Sequence, residues 1–104
     1  MGNKKYQLKI FPLARLDMEQ IFDYIAVELC NPTAAIKQIN DFEKAFENVC
    51  LFPESCPCIK NEYVKDKSLR KLIINSYIVF YRIKEEEIQI VRVLYGMRSY
   101  ENLL

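Results

Sequence analysis

The stretch "SLRKLIINSYIVFYRIKEEEIQIVRVLYG", residues 68–96, decides the fold class. It holds three runs, "SLRKLII", "SYIVFYRIK" and "EEIQIVRVLY", rich in Ile, Val, Tyr and Phe. Side chains of this kind suit a pleated, half-buried surface. Asn75-Ser76 and Lys84-Glu85-Glu86 separate the runs and are short enough for hairpin connections. The three runs read as an antiparallel meander that ends at Gly96.

Upstream, the period changes. In residues 14–29 the apolar positions Ala14, Met18, Ile21, Ile25 and Leu29 recur at steps of four and three, one stripe of a helix. Asp17, Glu19, Gln20, Asp23 and Glu28 fall largely away from that stripe. "NPTAA" then restarts the chain, since Asn31 can cap a new helix and Pro32 suits its first turn, where a missing N–H costs nothing. Ala35, Ile39, Phe42, Phe46 and Val49 carry a second stripe to about Leu51, so two helices pair as an antiparallel hairpin. The bland reading of these stripes, core packing, is preferred to a cofactor pocket. Before the hairpin, "KKYQLKIF" alternates as a strand, with Tyr6, Leu8 and Ile10 on one face and Pro12 closing it. After it, "PESCPCIKNEYVKDKS" is a polar, proline-punctuated loop.

The order strand, helix, helix, strand, strand, strand predicts an α+β domain over residues 1–104. The helical hairpin covers one face of a mostly antiparallel sheet and the other face is only partly covered. With 104 residues, 51% hydrophobic, the chain suits one modest core. Fifteen Lys and Arg against fourteen Asp and Glu leave a net charge of +1, so any basic site must be local. Nowhere do about 18 uninterrupted apolar residues occur, and the N-terminus lacks a signal peptide's apolar centre; the expectation is a cytoplasmic protein with no membrane partner.

Several chemistries are disfavoured. The chain has no histidine, which removes Ser-His-Asp and Cys-His nucleophilic catalysis. Cys56 and Cys58 are close, but Cys30 and Cys50 do not form a second close pair, so no metal is expected and the thiols are read as reduced. Glu85, Glu86 and Glu87 read as a solvated turn rather than a catalytic carboxylate pair.

The C-terminal third is different. Arg70, Lys71, Arg82 and Arg92 interrupt apolar strands, Arg98 follows the last one, and Tyr77, Tyr81, Tyr95 and Tyr100 lie among them. Cations interleaved with aromatics suit a phosphate backbone with exposed bases. The alternative is that these are solvent-side residues pairing with Glu87 or Glu101.

The layout, with "LARLDMEQIFDYI", "LFPES", "SLRKLIINSYIVFYRI" and "IQIVRVLYGMRSYENLL", resembles the RelE/ParE superfamily of toxins from bacterial type II toxin–antitoxin modules. The sharpest pieces are Tyr77 with Tyr81 and Gly96 with Arg98. The resemblance implies a growth-inhibiting, plasmid-stabilisation type toxin held inactive by a cognate antitoxin. RelE-like members cut messenger RNA at the ribosome by attack of a ribose 2′-hydroxyl on the adjacent phosphate, without metal or cofactor. ParE-like members instead poison DNA gyrase.

Carried across position by position, Lys71 matches a RelE-type sheet lysine and Arg98 the arginine after the last strand. The other sheet lysine falls on Leu69, the arginine after the third-strand tyrosine on Ile78, and the C-terminal tyrosine on Leu104. If the chain cuts RNA, Lys71, Arg98 and Tyr100 are the catalytic candidates. Arg70, Arg82, Arg92 and Arg98 are candidates for binding the target or the antitoxin. The low charge and "GMRSYENLL" place the likeness nearer the ParE end, with an RNA-cutting enzyme and a non-toxic antitoxin binder as alternatives.

Overall fold

The computed structural model describes residues 5–96, Tyr100, Leu103 and Leu104. Strand β1 (Gln7–Ile10) leads into helix α1 (Pro12–Asp23), a π-helical turn (Tyr24–Glu28) and helix α2 (Pro32–Leu51). Strands β2 (Arg70–Ile74), β3 (Tyr77–Lys84) and β4 (Glu87–Tyr95) follow. The sheet order is β1-β4-β3-β2. The meander is antiparallel, and β1 adds to it in parallel, with Gln7 opposite Glu87 and Ile10 opposite Ile90. The architecture is therefore the α+β arrangement read from the sequence.

Local chemistry explains the joints. Pro12 does not simply close β1; it opens α1 at its first position, following an extended Phe11. Asn31 caps α2 as expected, its Oδ1 accepting from Ala34 N–H at 3.1 Å. Asn75 enters the first hairpin turn at φ 56°, a left-handed conformation that asparagine tolerates well. The second turn is shorter than expected: Lys84 still pairs with Glu87, leaving Glu85 and Glu86 as the loop.

The helices cover one sheet face. Phe42, Phe46 and Val49 of α2 and Ala14 of α1 pack on Val79, Tyr81, Ile88, Ile90 and Val93. Phe42 stacks on Phe46 at 6.3 Å and meets the edge of Tyr77 at 5.6 Å. The opposite face, expected to be partly open, carries a second core. Ile59 and Val64 of the 53–68 loop pack there with Leu69, Ile78, Phe80 and Leu94, and Tyr100, Leu103 and Leu104 lie against them. The loop is polar in composition, but its few apolar residues are spent on the sheet. Among the described residues, no helix is long and apolar enough to cross a membrane.

One constraint ties α1 to the sheet. Phe80 pairs with Arg92 but Tyr81 pairs with Ile90, so Val91 is an extra residue, a β-bulge. Without it, strict alternation would send Arg92 to the helix-covered face with Ile88 and Ile90. With it, Val93 takes the core position and Arg92 turns away. β1 has ended by then, and the Val93 N–H donates instead to Oδ2 of Asp17 on α1 (3.0 Å). Arg92 clasps the same carboxylate through Nε (2.8 Å) and NH2 (2.9 Å). Asp17, expected largely away from the buried stripe, is only 8% exposed.

Removing one member of a buried, bidentate pair strands the other, which typically costs about 3–5 kcal/mol. Asp17→Ala is expected to destabilise the protein by about 3 kcal/mol in urea unfolding, and Asp17→Ala with Arg92→Leu by clearly less. A loss under about 1 kcal/mol for the single variant would show that the clamp does not hold α1 in place.

Candidate functional site

The register separates the basic candidates. Arg70 pairs with Tyr81 and shares the helix-covered side, whereas Lys71, opposite Phe80, shares the other side with Arg82 and Arg92. These residues do not form one patch. Most are also engaged within the protein. Arg70 donates from NH1 to the Cys56 carbonyl at 2.6 Å, below Cys58, which bridges to the strand. Arg82 donates from Nε to Gln89 (2.7 Å) and from NH1 to Asp66 (2.9 Å), and its guanidinium lies 5.4 Å from the Phe11 ring centre. Gln89 in turn donates to Glu87 at 2.8 Å. The pairing of Arg82 is thus with Asp66, and reaches Glu87 only through Gln89. Arg92 belongs to the Asp17 clamp and also donates to the Leu103 carbonyl at 3.1 Å. The Lys71 ammonium has no partner among the described residues.

The tyrosines are not an exposed stacking platform either. Tyr81 is fully buried, donating to the Pro53 carbonyl at 2.8 Å, and burial pushes its hydroxyl far above the usual tyrosine range. Tyr77 packs between Phe42 and Tyr95. Tyr100 lies on Phe80, ring centres 4.9 Å apart. Gly96 ends β4, as expected: its N–H donates to Ser76 O at 2.8 Å, and a Cβ there would sit 3.2 Å from that oxygen. Arg98 lies outside the described residues. Among the described residues, no three His, Cys, Asp or Glu side chains gather as a metal site.

Two features escaped the reading of the sequence. Asp66 neutralises Arg82 from a loop sixteen residues away, a pairing with no local signature. The other is a groove of about 1240 Å³ between β1, α1 and α2. Leu8, Met18, Phe22, Ile39 and Phe46 give it an apolar lining, and Glu19, Asp23, Glu43 and Glu47 outnumber Lys5 and Arg15 around it. β1 is the edge strand beside it, so the groove joins an apolar trough to unpaired backbone.

Residues 8–100 match the model of a family described as "ParE toxin of type II toxin-antitoxin system, parDE". The chain belongs to the ParE toxin family. It is therefore a toxin of the RelE/ParE superfamily of type II toxin–antitoxin systems. Its fold is similar to that in a solved structure described as the "Chromosomal ParDE TA system from P. aeruginosa", with TM-score 0.72 and 24% identity over 88% of this chain and 96% of that one. It is also similar to the "toxin-antitoxin complex RelBE2" from Mycobacterium tuberculosis, with TM-score 0.62 and 18% identity over 88% of this chain and 99% of that one. No curated protein shows significant sequence similarity to the chain.

The loop that covers the second face depends on acid. The Ser68 hydroxyl, then its backbone N–H and Arg82, hold the Asp66 carboxyl below the usual carboxylate range. A depressed folded pKa adds stability above the unfolded value of about 3.9 and loses it as pH falls through the folded value. Asp66→Asn should therefore be less stable than the parent at neutral pH, with the gap closing as the pH falls below the usual carboxylate range. A gap that persists unchanged in acid would show that the asparagine acts through packing, not charge.

Proposed function

We propose that this ParE-family chain inhibits growth by poisoning DNA gyrase, and that a cognate antitoxin holds it inactive in the cytoplasm, as in a plasmid-stabilisation module. The observation that carries the choice of target is the internal engagement of the sheet arginines. Cutting RNA through a ribose 2′-hydroxyl needs a base and cations converging on one phosphate. Arg82 and Arg92 instead neutralise Asp66 and Asp17, and Arg70 is on the opposite side of the sheet. Lys71 is left as the uncommitted cation among the four described candidates, which suits a binding surface better than a phosphoryl-transfer site. The match to a ParE family over residues 8–100 supports the same choice.

Arg98 is the residue we assign to target engagement, because a guanidinium beside a tyrosine can grip a phosphate or a carboxylate. Arg98→Ala is expected to abolish growth inhibition while changing unfolding free energy by under about 1 kcal/mol. The purified parent should block gyrase supercoiling and leave translated messages intact. Messages cut between codon positions would assign the chain to the RNA-cutting branch, with Lys71, Arg98 and Tyr100 as its candidates. Intact messages with unaffected gyrase would leave a non-toxic antitoxin binder.

The antitoxin is assigned to the groove between β1, α1 and α2, where an amphipathic helix or an added strand can bury apolar side chains beside a free edge. The surplus of carboxylates around the groove favours an antitoxin segment carrying Lys or Arg. Leu8 is 44% exposed on the edge strand. Leu8→Glu should weaken antitoxin binding by about 2 kcal/mol, near 30-fold, while the variant remains toxic. An antitoxin that neutralises this variant as well as the parent would place its binding elsewhere.

A further inference from the structure

We propose that the segment Cys56-Pro57-Cys58 is a thiol–disulfide exchange site, whose substrates are disulfides of small, carboxylate-bearing thiols of the glutathione class. This inference depends on neither the gyrase nor the antitoxin reading. All four cysteines are reduced, but they are not alike. Cys50 is buried in α2, and burial pushes its thiol above the usual range, which makes it inert. Cys30 is exposed but stands alone in the sequence. Cys58 is exposed, Cys56 is half-buried, and a single proline separates them.

Pairing with β2 puts both thiols on one side of the segment. The Ile59 N–H donates to the Leu69 carbonyl (2.9 Å) and the Lys71 N–H to the Pro57 carbonyl (3.2 Å), so Cys58 and Arg70 form the non-hydrogen-bonded pair between these two bonds. Side chains of such a pair lie close and point the same way, which sets Cys58 on the helix-covered side with Arg70. Cys56 is on that side too, packed against the helix-covered core beside the Tyr81 hydroxyl. Residues two apart in an extended segment have Cα atoms about 6.6 Å apart, within the roughly 4.4–6.8 Å that disulfides span. Cys56 sits at a bend, which shortens that separation. A ring closed over one residue is strained, and strained disulfides are the labile, regulatory ones.

Arg70 supplies the recognition. Its NH1 donates to the Cys56 carbonyl at 2.6 Å, which holds the guanidinium alongside the segment, while Nε and NH2 have no partner among the described residues. A fixed guanidinium with free donors suits a carboxylate on the incoming disulfide. The Cys58 sulfur, as thiolate, attacks one sulfur of that disulfide; the S–S bond breaks and the outer sulfur leaves, taking up the proton that Cys58 released. Cys56 then attacks the Cys58 sulfur in the same way, displacing the second small thiol and closing the Cys56–Cys58 bond. Two protein thiols are oxidised, one disulfide is reduced to two thiols, and both protons end on the products.

Thiol counting and intact mass test this on the full chain, with Cys30→Ser removing the other exposed thiol. Excess glutathione disulfide should leave Cys50 as the one reactive thiol after unfolding, with the protein two hydrogens lighter and no glutathione attached, and reduced glutathione should reverse the change. Added to that background, Cys56→Ser should stop at a mixed disulfide on Cys58, whereas Cys58→Ser should react at least about 10-fold more slowly, because its remaining thiol is half-buried. Arg70→Gln should slow the reaction with glutathione disulfide about 5-fold and that with the uncharged hydroxyethyl disulfide by less than about 2-fold. Thiols that stay reduced, glutathione that stays attached when both cysteines are present, or serine variants that react alike would overturn the proposal. Equal slowing of both disulfides by Arg70→Gln would overturn the assigned substrate class.

Discussion

The carboxylate of Asp17 is the point on which the rest of the structure turns. It accepts from two of the three Arg92 guanidinium nitrogens and from the Val93 backbone at the place where β1 has stopped and β4 continues paired with β3 alone. A buried N–H without an acceptor would cost about 1–3 kcal/mol, and a buried guanidinium without a carboxylate more. One side chain on α1 resolves both, and in doing so sets the height at which the helical hairpin crosses the sheet. Arg92 then passes the constraint on, by donating to the Leu103 carbonyl and so joining the chain's last residues to the same clamp.

That arrangement leaves few uncommitted cations on the sheet among the described residues. Both faces of β3 are packed, one under Phe42 and Phe46 and the other under Ile59, Val64 and Tyr100. Arginines that would give a strongly basic surface are instead used to satisfy acids at the margins of the two cores. In a chain whose net charge is +1, little positive field is left to gather a polyanion. Unspent binding capacity lies instead in an apolar surface, the groove between the helical hairpin and β1. Proteins that act by occupying other proteins need such surfaces; those that cut phosphodiesters need converging cations.

Some of this was legible along the chain, because it depends on neighbours in sequence. The period of Ala35, Ile39, Phe42, Phe46 and Val49, the cap at Asn31 and the turn at Asn75-Ser76 each act over four residues or fewer, so α2 and the first hairpin stood where expected. The likeness to a toxin family was legible for the same reason, as it rests on the order and patterning of those elements. Asp17 was not legible: the helical period set it largely away from the apolar stripe, and nothing local names Arg92 as the partner that draws it into the interior.

By itself, then, the sequence determined the α+β class, the hairpin, the meander and the family, all of which follow from periodicities of two and 3.6 and from turn chemistry. Only the tertiary structure decided which side of the sheet each cation faces and whether it is free. A single extra residue at Val91 reverses the alternation beyond it, so Arg92 and Val93 exchange faces. Asp66 reaches Arg82, and Asp17 reaches Arg92, across 16 and 75 residues of chain. Pairings at that separation depend on how complete strands and helices pack, and no pattern in the neighbouring residues encodes them.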